Sequence, residues 1–185
     1  MPEKKTIERA RRDKQEGKSP STQAGEFVRE EIEHIREGKH GARSTKQVIA
    51  IGLSKARRAG VDLPPPKKGQ TIERTRKSAA RAYARGHGAP AKRKLSAKRS
   101  RAIEHALQRE GKSAASRESL SKQAKTAARR RTAGERSAAA EQAARTKGPK
   151  ERHKAAMKAV RTKGHAGLSR AAHKAAQARA AHGHR

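Results

Sequence analysis

Three clusters of cationic side chains carry the chemistry most directly legible in this sequence: Lys92-Arg93-Lys94, Lys98-Arg99 with Arg101, and Arg129-Arg130-Arg131. Further along, cations recur at Arg145, Lys147, Lys154, Lys158, Arg161, Lys163, Arg170 and Lys174. A guanidinium pairs with phosphate oxygens through a planar fork, and an ammonium does so as a point charge. These residues are therefore the candidate nucleic-acid contacts, directed at the phosphodiester backbone. Reading of bases lacks its usual tools, because the aromatic side chains are Phe27 and Tyr83 and leave no row of stacking platforms.

Other chemistries find less to work with. The nine histidines, including His182-Gly183-His184, form no recognisable zinc-ligand array, and Asp and Glu do not gather around them in sequence, so no metal and no cofactor is expected. With no cysteine, thiolate metal sites, disulfides and Cys nucleophiles are excluded. Acid–base catalysis needs perturbed groups in a water-excluding pocket, and a chain that is 31% apolar and 1% aromatic has little to build one from. No glycine-rich phosphate-binding motif precedes a lysine. A non-enzymatic protein without a small-molecule substrate is expected.

Charge points to the partner. The 185 residues hold 49 Lys and Arg against 17 Asp and Glu, a net charge of +32, and self-repulsion of that size opposes compaction unless a polyanion supplies the missing charge. Duplex DNA, with a charge about every 1.7 Å of axis, meets that need and gains from counterion release. DNA is favoured over RNA as the partner. The opening stretch MPEKKTIERARRDKQEGK has no apolar run of the kind a secretory signal needs, and no uncharged apolar run reaches the roughly 20 residues of a bilayer span. A cytoplasmic, nucleoid-associated protein without membrane contact is expected.

The charge is unevenly spread over the elements that must position it. Residues 1–60 carry 15 Lys and Arg against 9 Asp and Glu, whereas residues 61–185 carry 34 against 8. A Pro-rich linker is placed at 61–70, where Pro64-Pro65-Pro66 favours an extended spacer. Before it, Ser19-Pro20 suits a helix start and Gly38 a stop, predicting a helix over about 20–36. Ala24, Phe27, Val28, Ile32 and Ile35 share one face of it, with Arg29, Glu30, Glu33 and Arg36 pointing to water. Ser44-Thr45-Lys46-Gln47 fits a capping box ahead of a second apolar stripe, Val48, Ile49, Leu53 and Ala56, with Gly52 allowing close approach and Gly60 ending the helix. The two stripes pair as a helical hairpin whose core is Phe27, Val28, Ile32, Ile35, Val48, Ile49 and Leu53. A short charged helix over 6–14 lacks a good stripe and is expected to fray.

Residues 71–185 read as short basic helices, rich in Ala, Lys and Arg, that are marginal until neutralised. The expected fold class is all-α, partly disordered without nucleic acid. Near the end, RTKGPKERHKAAMKAV (145–160) is followed directly by RTKGHAGLSRAAHKAA (161–176), a 16-residue repeat, and Arg131-Thr132-Ala133-Gly134 reads as the start of a degenerate third copy. Each copy offers almost no large apolar side chain, so the repeat suits a multivalent tail and not a solenoid.

Residues 6–61, and above all REGKHGARSTKQVIAIGLSKARRAG, resemble a largely uncharacterised family of small basic bacterial proteins loosely labelled DNA-binding or plasmid-stabilisation. The remainder is similar in composition to the linker-histone-like tails of bacterial nucleoid proteins. The resemblance implies no catalytic residues. Charge, elements and resemblance together lead to the expectation of DNA binding without sequence preference, through phosphates, in histone-like compaction or protection of the nucleoid. Two alternatives stand beside it: a structural RNA-binding or ribosome-associated protein, and a protein-interaction module with a basic localising tail. A helix-turn-helix is disfavoured by the long connection between the two helices and by Glu30-Glu31 on the first. Membrane-surface binding is disfavoured by apolar faces made mostly of alanine.

Overall fold

The computed structural model describes residues 2–90 and 96–182. Among them the fold is all-α, with no strand. Two compact units are present, residues 1–131 and 132–185.

The first unit is built from α1 (Lys4–Gln15), α2 (Pro20–Glu37), α3 (Thr45–Arg58), α4 (Glu73–Gly86), α5 (Ala97–Gln108), a short 3-10 turn (Ser113–Ala115) and α6 (Arg117–Arg130). Local signals set the helix ends. The Ser19 hydroxyl accepts from Thr22 N–H, Pro20 takes the first helical position and Gly38 closes the helix. At α3 the Ser44 hydroxyl accepts from Gln47 N–H at 3.3 Å, while the Gln47 amide oxygen reaches back one residue further than a standard box, to Arg43 N–H at 3.0 Å.

α2 packs on α3, and the approach is close at Gly52. A Cβ there would stand 2.7 Å from Val28 Cα, so any larger residue forces the helices apart. Phe27, Ile35 and Val48 are fully buried; Val28, Ile32, Ile49 and Leu53 are half-buried. Two helices do not complete the core. Phe27 lies in a cluster with Ala10 of α1, Ala24, Ala56 and Val61, flanked by Ile7, Leu53 and Leu63. Ile35 and Val48 join Ala42 and the 3-10 turn residues Ala114 and Ala115 in a second cluster.

Three expectations change here. The segment expected to fray is α1, and Thr6, Ala10 and Asp13 at i, i+4 and i+7 are its buried face. The stripe was hidden because two of its three members are polar. Glu30, expected to face water, is 1% exposed, since Lys55 and the chain before α1 cover it. Residues 61–70, expected as a spacer, lie inside the first unit: Val61 is buried, and the Arg57 guanidinium donates to the carbonyls of Leu63 at 3.0 Å and Pro64 at 3.3 Å.

More distant chain is tied on by backbone groups. Gly41 N–H donates to Leu107 O at 2.8 Å, Ala42 N–H to Gly111 O at 3.2 Å, and the Thr45 hydroxyl to Ala114 O at 2.7 Å. The Tyr83 hydroxyl donates to Asp62 at 2.7 Å, and α4 packs on α3.

The second unit is α7 (Ala133–His182), a helical run broken at Gly148 (φ 66°, ψ 172°) and Gly164 (φ 64°, ψ 169°). That backbone region is essentially closed to residues with a Cβ. Both glycines close the RTKG motif of the repeat, so the sequence period reappears as a break every 16 residues. Equivalent threonines repeat too: Thr146 donates to Gln142 O and Thr162 to Lys158 O, each at 2.9 Å. Upstream, Thr132 and Glu135 form a reciprocal capping box, with Thr132 N–H to Glu135 at 2.8 Å and Glu135 N–H to the Thr132 hydroxyl at 3.2 Å. No described side chain of this unit is buried.

Candidate functional site

The predicted cationic residues lie on helix surfaces. Lys98, Arg99 and Arg101 occupy the first turns of α5, Arg129 and Arg130 end α6, and Arg131 follows as its cap; all are exposed. Lys92, Arg93 and Lys94 fall outside the described residues. In the second unit Arg145, Lys147, Lys154, Lys158, Arg161, Lys163, Arg170 and Lys174 are exposed as well. Lys154, Lys158 and Arg161 stand at i, i+4 and i+7 within one helical segment and share a face, and Arg170 and Lys174 repeat the first spacing in the next. Lys154 also pairs with Glu151 at 2.8 Å, which raises its pKa through the hydrogen bond and keeps it a cation. The described ones lie on α5, α6 and α7.

Sequence reasoning missed a cationic cleft in the first unit. Arg43, Lys46 and Lys122, with Ser44, Ser119 and Thr126, line an open space of about 460 Å³ where the starts of α3 and α6 come together. It is formed because the 3-10 turn, held by Thr45, brings α6 to α3 across some 70 residues of chain. Nothing local to any of these residues signals that meeting.

A second group is polar and largely buried. Glu30 and Glu31 of α2 are each 1% exposed. The Lys55 ammonium of α3 lies 3.2 Å from Glu30 Oε1 and 2.6 Å from Glu31 Oε2. Glu30 Oε2 accepts from Glu3 N–H at 3.1 Å. Burial works to raise the Glu30 pKa, but hydrogen bonds from Thr6, the Glu3 N–H and Lys55 outweigh it and hold the carboxyl below its ordinary value. His40 Nε2 stands 3.0 Å from Glu31 Oε1, His34 Nε2 2.9 Å from Glu3 Oε1, and Lys39 Nζ 3.5 Å from the same Glu3 oxygen. The two imidazoles meet edge to face with centroids 6.2 Å apart. The expectation that no acidic group gathers around a histidine is thus corrected: two carboxylates do so, from three separate stretches of chain. The signal available in sequence was the i, i+3 pair Glu31 and His34.

Residues 3–68, a little over a third of the chain, match the profile of a family of unknown function (DUF6496). That stretch contains the buried carboxylate group and covers the residues that resemble an uncharacterised family. The match carries no DNA-binding label and does not extend into the basic tail. No curated protein and no solved structure is similar to the chain at a significant level. Among the described residues no helix is long and apolar enough to cross a membrane.

Proposed function

We propose that this protein binds DNA without sequence preference, through its phosphates, and compacts or protects the nucleoid. The observation that carries the reading is the exposure of every described candidate cation, in a chain with 32 more positive than negative charges. Exposed cations spread over separate helices suit a long polyanion better than a small ligand, and their counterion release supplies the affinity. In this reading the exposed cations of both units, including those of the 16-residue repeats, contact DNA. No catalytic step is required.

The test is a titration of the full chain against labelled duplexes of unrelated sequence. Affinities should agree between sequences and fall by about 10³ or more between 50 and 200 mM salt, if roughly six or more phosphates are engaged. Binding that ignores salt refutes the mechanism. Preference for structured RNA over duplex DNA in direct competition moves the assignment to an RNA partner.

A further inference from the structure

We propose that Glu31, His34 and His40 form a binding site for a divalent transition-metal ion of the zinc class, with Glu3 as the fourth ligand. The site lies in the first unit and does not rest on the nucleic-acid reading.

Its donor atoms already converge. One carboxylate oxygen of Glu31 and one ring nitrogen each of His34 and His40 all lie within 4.8 Å of one another. A tetrahedral zinc ion with bonds of about 2.1 Å needs ligand separations of about 3.4 Å, so modest contraction of the group encloses it. Glu3 Oε1, 2.9 Å from His34 Nε2, is within reach as the fourth donor. Two imidazoles and two carboxylates are a donor set that suits zinc, cobalt and nickel better than calcium or magnesium, which take oxygen ligands.

The hydrogen bonding around His40 argues for a cation at this point. His40 Nδ1 lies 3.1 Å from Gly41 O. A carbonyl oxygen only accepts, so the Nδ1–H tautomer is the one that satisfies this contact, and its Nε2 then presents a lone pair. In that tautomer the lone pair faces Glu31 Oε1 at 3.0 Å, acceptor against acceptor, and a cation between the two resolves the conflict; the other neutral tautomer donates Nε2–H to Glu31 and leaves Nδ1 against Gly41 O. A backbone carbonyl fixing Nδ1–H while Nε2 faces the ion is the usual support for a metal-bound histidine. Lys55 takes the other oxygen of Glu31, which leaves Oε1 for the ion. Four carboxylates, Glu3, Glu30, Glu31 and Glu37, share two ammonium groups, Lys39 and Lys55, so the local charge is also short by two.

Bound metal would join the start of the chain, the C-terminal half of α2 and the α2–α3 connection in one clamp. The alternative positive species is a second proton on His40, and the experiment separates the two. The full chain, stripped with chelator, is titrated with Co²⁺ and then Zn²⁺ near neutral pH, read by visible absorption and by ¹⁵N NMR of the histidine rings. One equivalent of Co²⁺ should give the absorption of a tetrahedral nitrogen–oxygen site, Zn²⁺ should abolish it, and the Nε2 signals of His34 and His40 should move first among the nine histidines. His40→Gln should weaken Zn²⁺ by more than the ~10–100-fold that loss of an outer-shell partner costs, whereas His182→Gln with His184→Gln should leave the affinity unchanged. Zinc that shifts only other histidines, or ring signals showing His40 Nε2 still protonated at saturating zinc, overturns the proposal. The NMR reading uses the unsubstituted protein, so it holds even if His40→Gln fails to fold.

Discussion

Lys55 serves two carboxylates at once, and its loss would leave Glu30 and Glu31 buried with their nearest cation gone. Breaking a buried pair from one side is costly because the surviving charge cannot recover its water. Since Lys55 keeps 18% of its side chain exposed, Lys55→Met is expected to lower stability by about 2–4 kcal/mol in urea unfolding, less than for a fully enclosed pair. The acid side follows from Glu30. Its carboxyl is held below the ordinary value when folded, so its contribution is fully present above the unfolded-state pKa and is lost as pH falls through the folded one. The urea midpoint should therefore drop as pH falls below about 4.5, and Glu30→Gln should be less stable at neutral pH with a flatter profile. An unchanged profile in that variant would remove Glu30 from the account. None of this was visible in sequence, where Glu30 stands on the polar side of the helix that buries Phe27. It became interior because α1 and α3 approach α2 from two sides, and a periodicity argument covers only one.

At the scale of elements, what was legible was local. Ser19, Pro20, Gly38, Ser44 and Gln47 set helix ends through atoms a few residues apart, so their types and spacing suffice. The layer formed by α1, Val61 and Leu63 over Phe27 depends on segments 17 to 36 residues away, and no spacing rule reaches that far. Phe27→Ala should thus cost about 3–5 kcal/mol, since the cavity it leaves opens between three elements. Circular dichroism during thermal melting would show it. The breaks in α7 give a contrasting case. At Gly164→Ala the new Cβ cannot hold the observed backbone, and the helix should run on through His165, raising helical ¹³Cα shifts there. At Gly148→Ala the break should persist, because Pro149 disfavours helical backbone in the residue before it. A break that persists at both sites would show that the glycines do not determine it, and helix at both would remove Pro149 from the account.

For the whole molecule the question is how much of the charge engages a partner. Residues 132–185 hold 13 Lys and Arg against 3 Glu, a net of +10 out of +32. Truncation after Arg131 is expected to flatten the salt dependence of DNA affinity, by about 0.9 in the logarithmic slope for each phosphate that is no longer neutralised, without creating sequence preference. An unaltered slope would confine binding to the first unit. Composition alone sufficed to foresee exposed cations in both units. The cleft at Arg43, Lys46 and Lys122 and the meeting of Glu31 with His40 escaped it, because both depend on long-range chain placement.

One property of the tail reaches beyond binding. The stretch from Gly148 to Gly164 is a rod of about 24 Å between two glycine joints, and no described side chain of this unit is buried. Copies can then be gained or dropped whole without any packing partner to repair. The length of the tail is therefore free to evolve as a count, while the first unit, interlocked through its buried clusters, must change residue by residue.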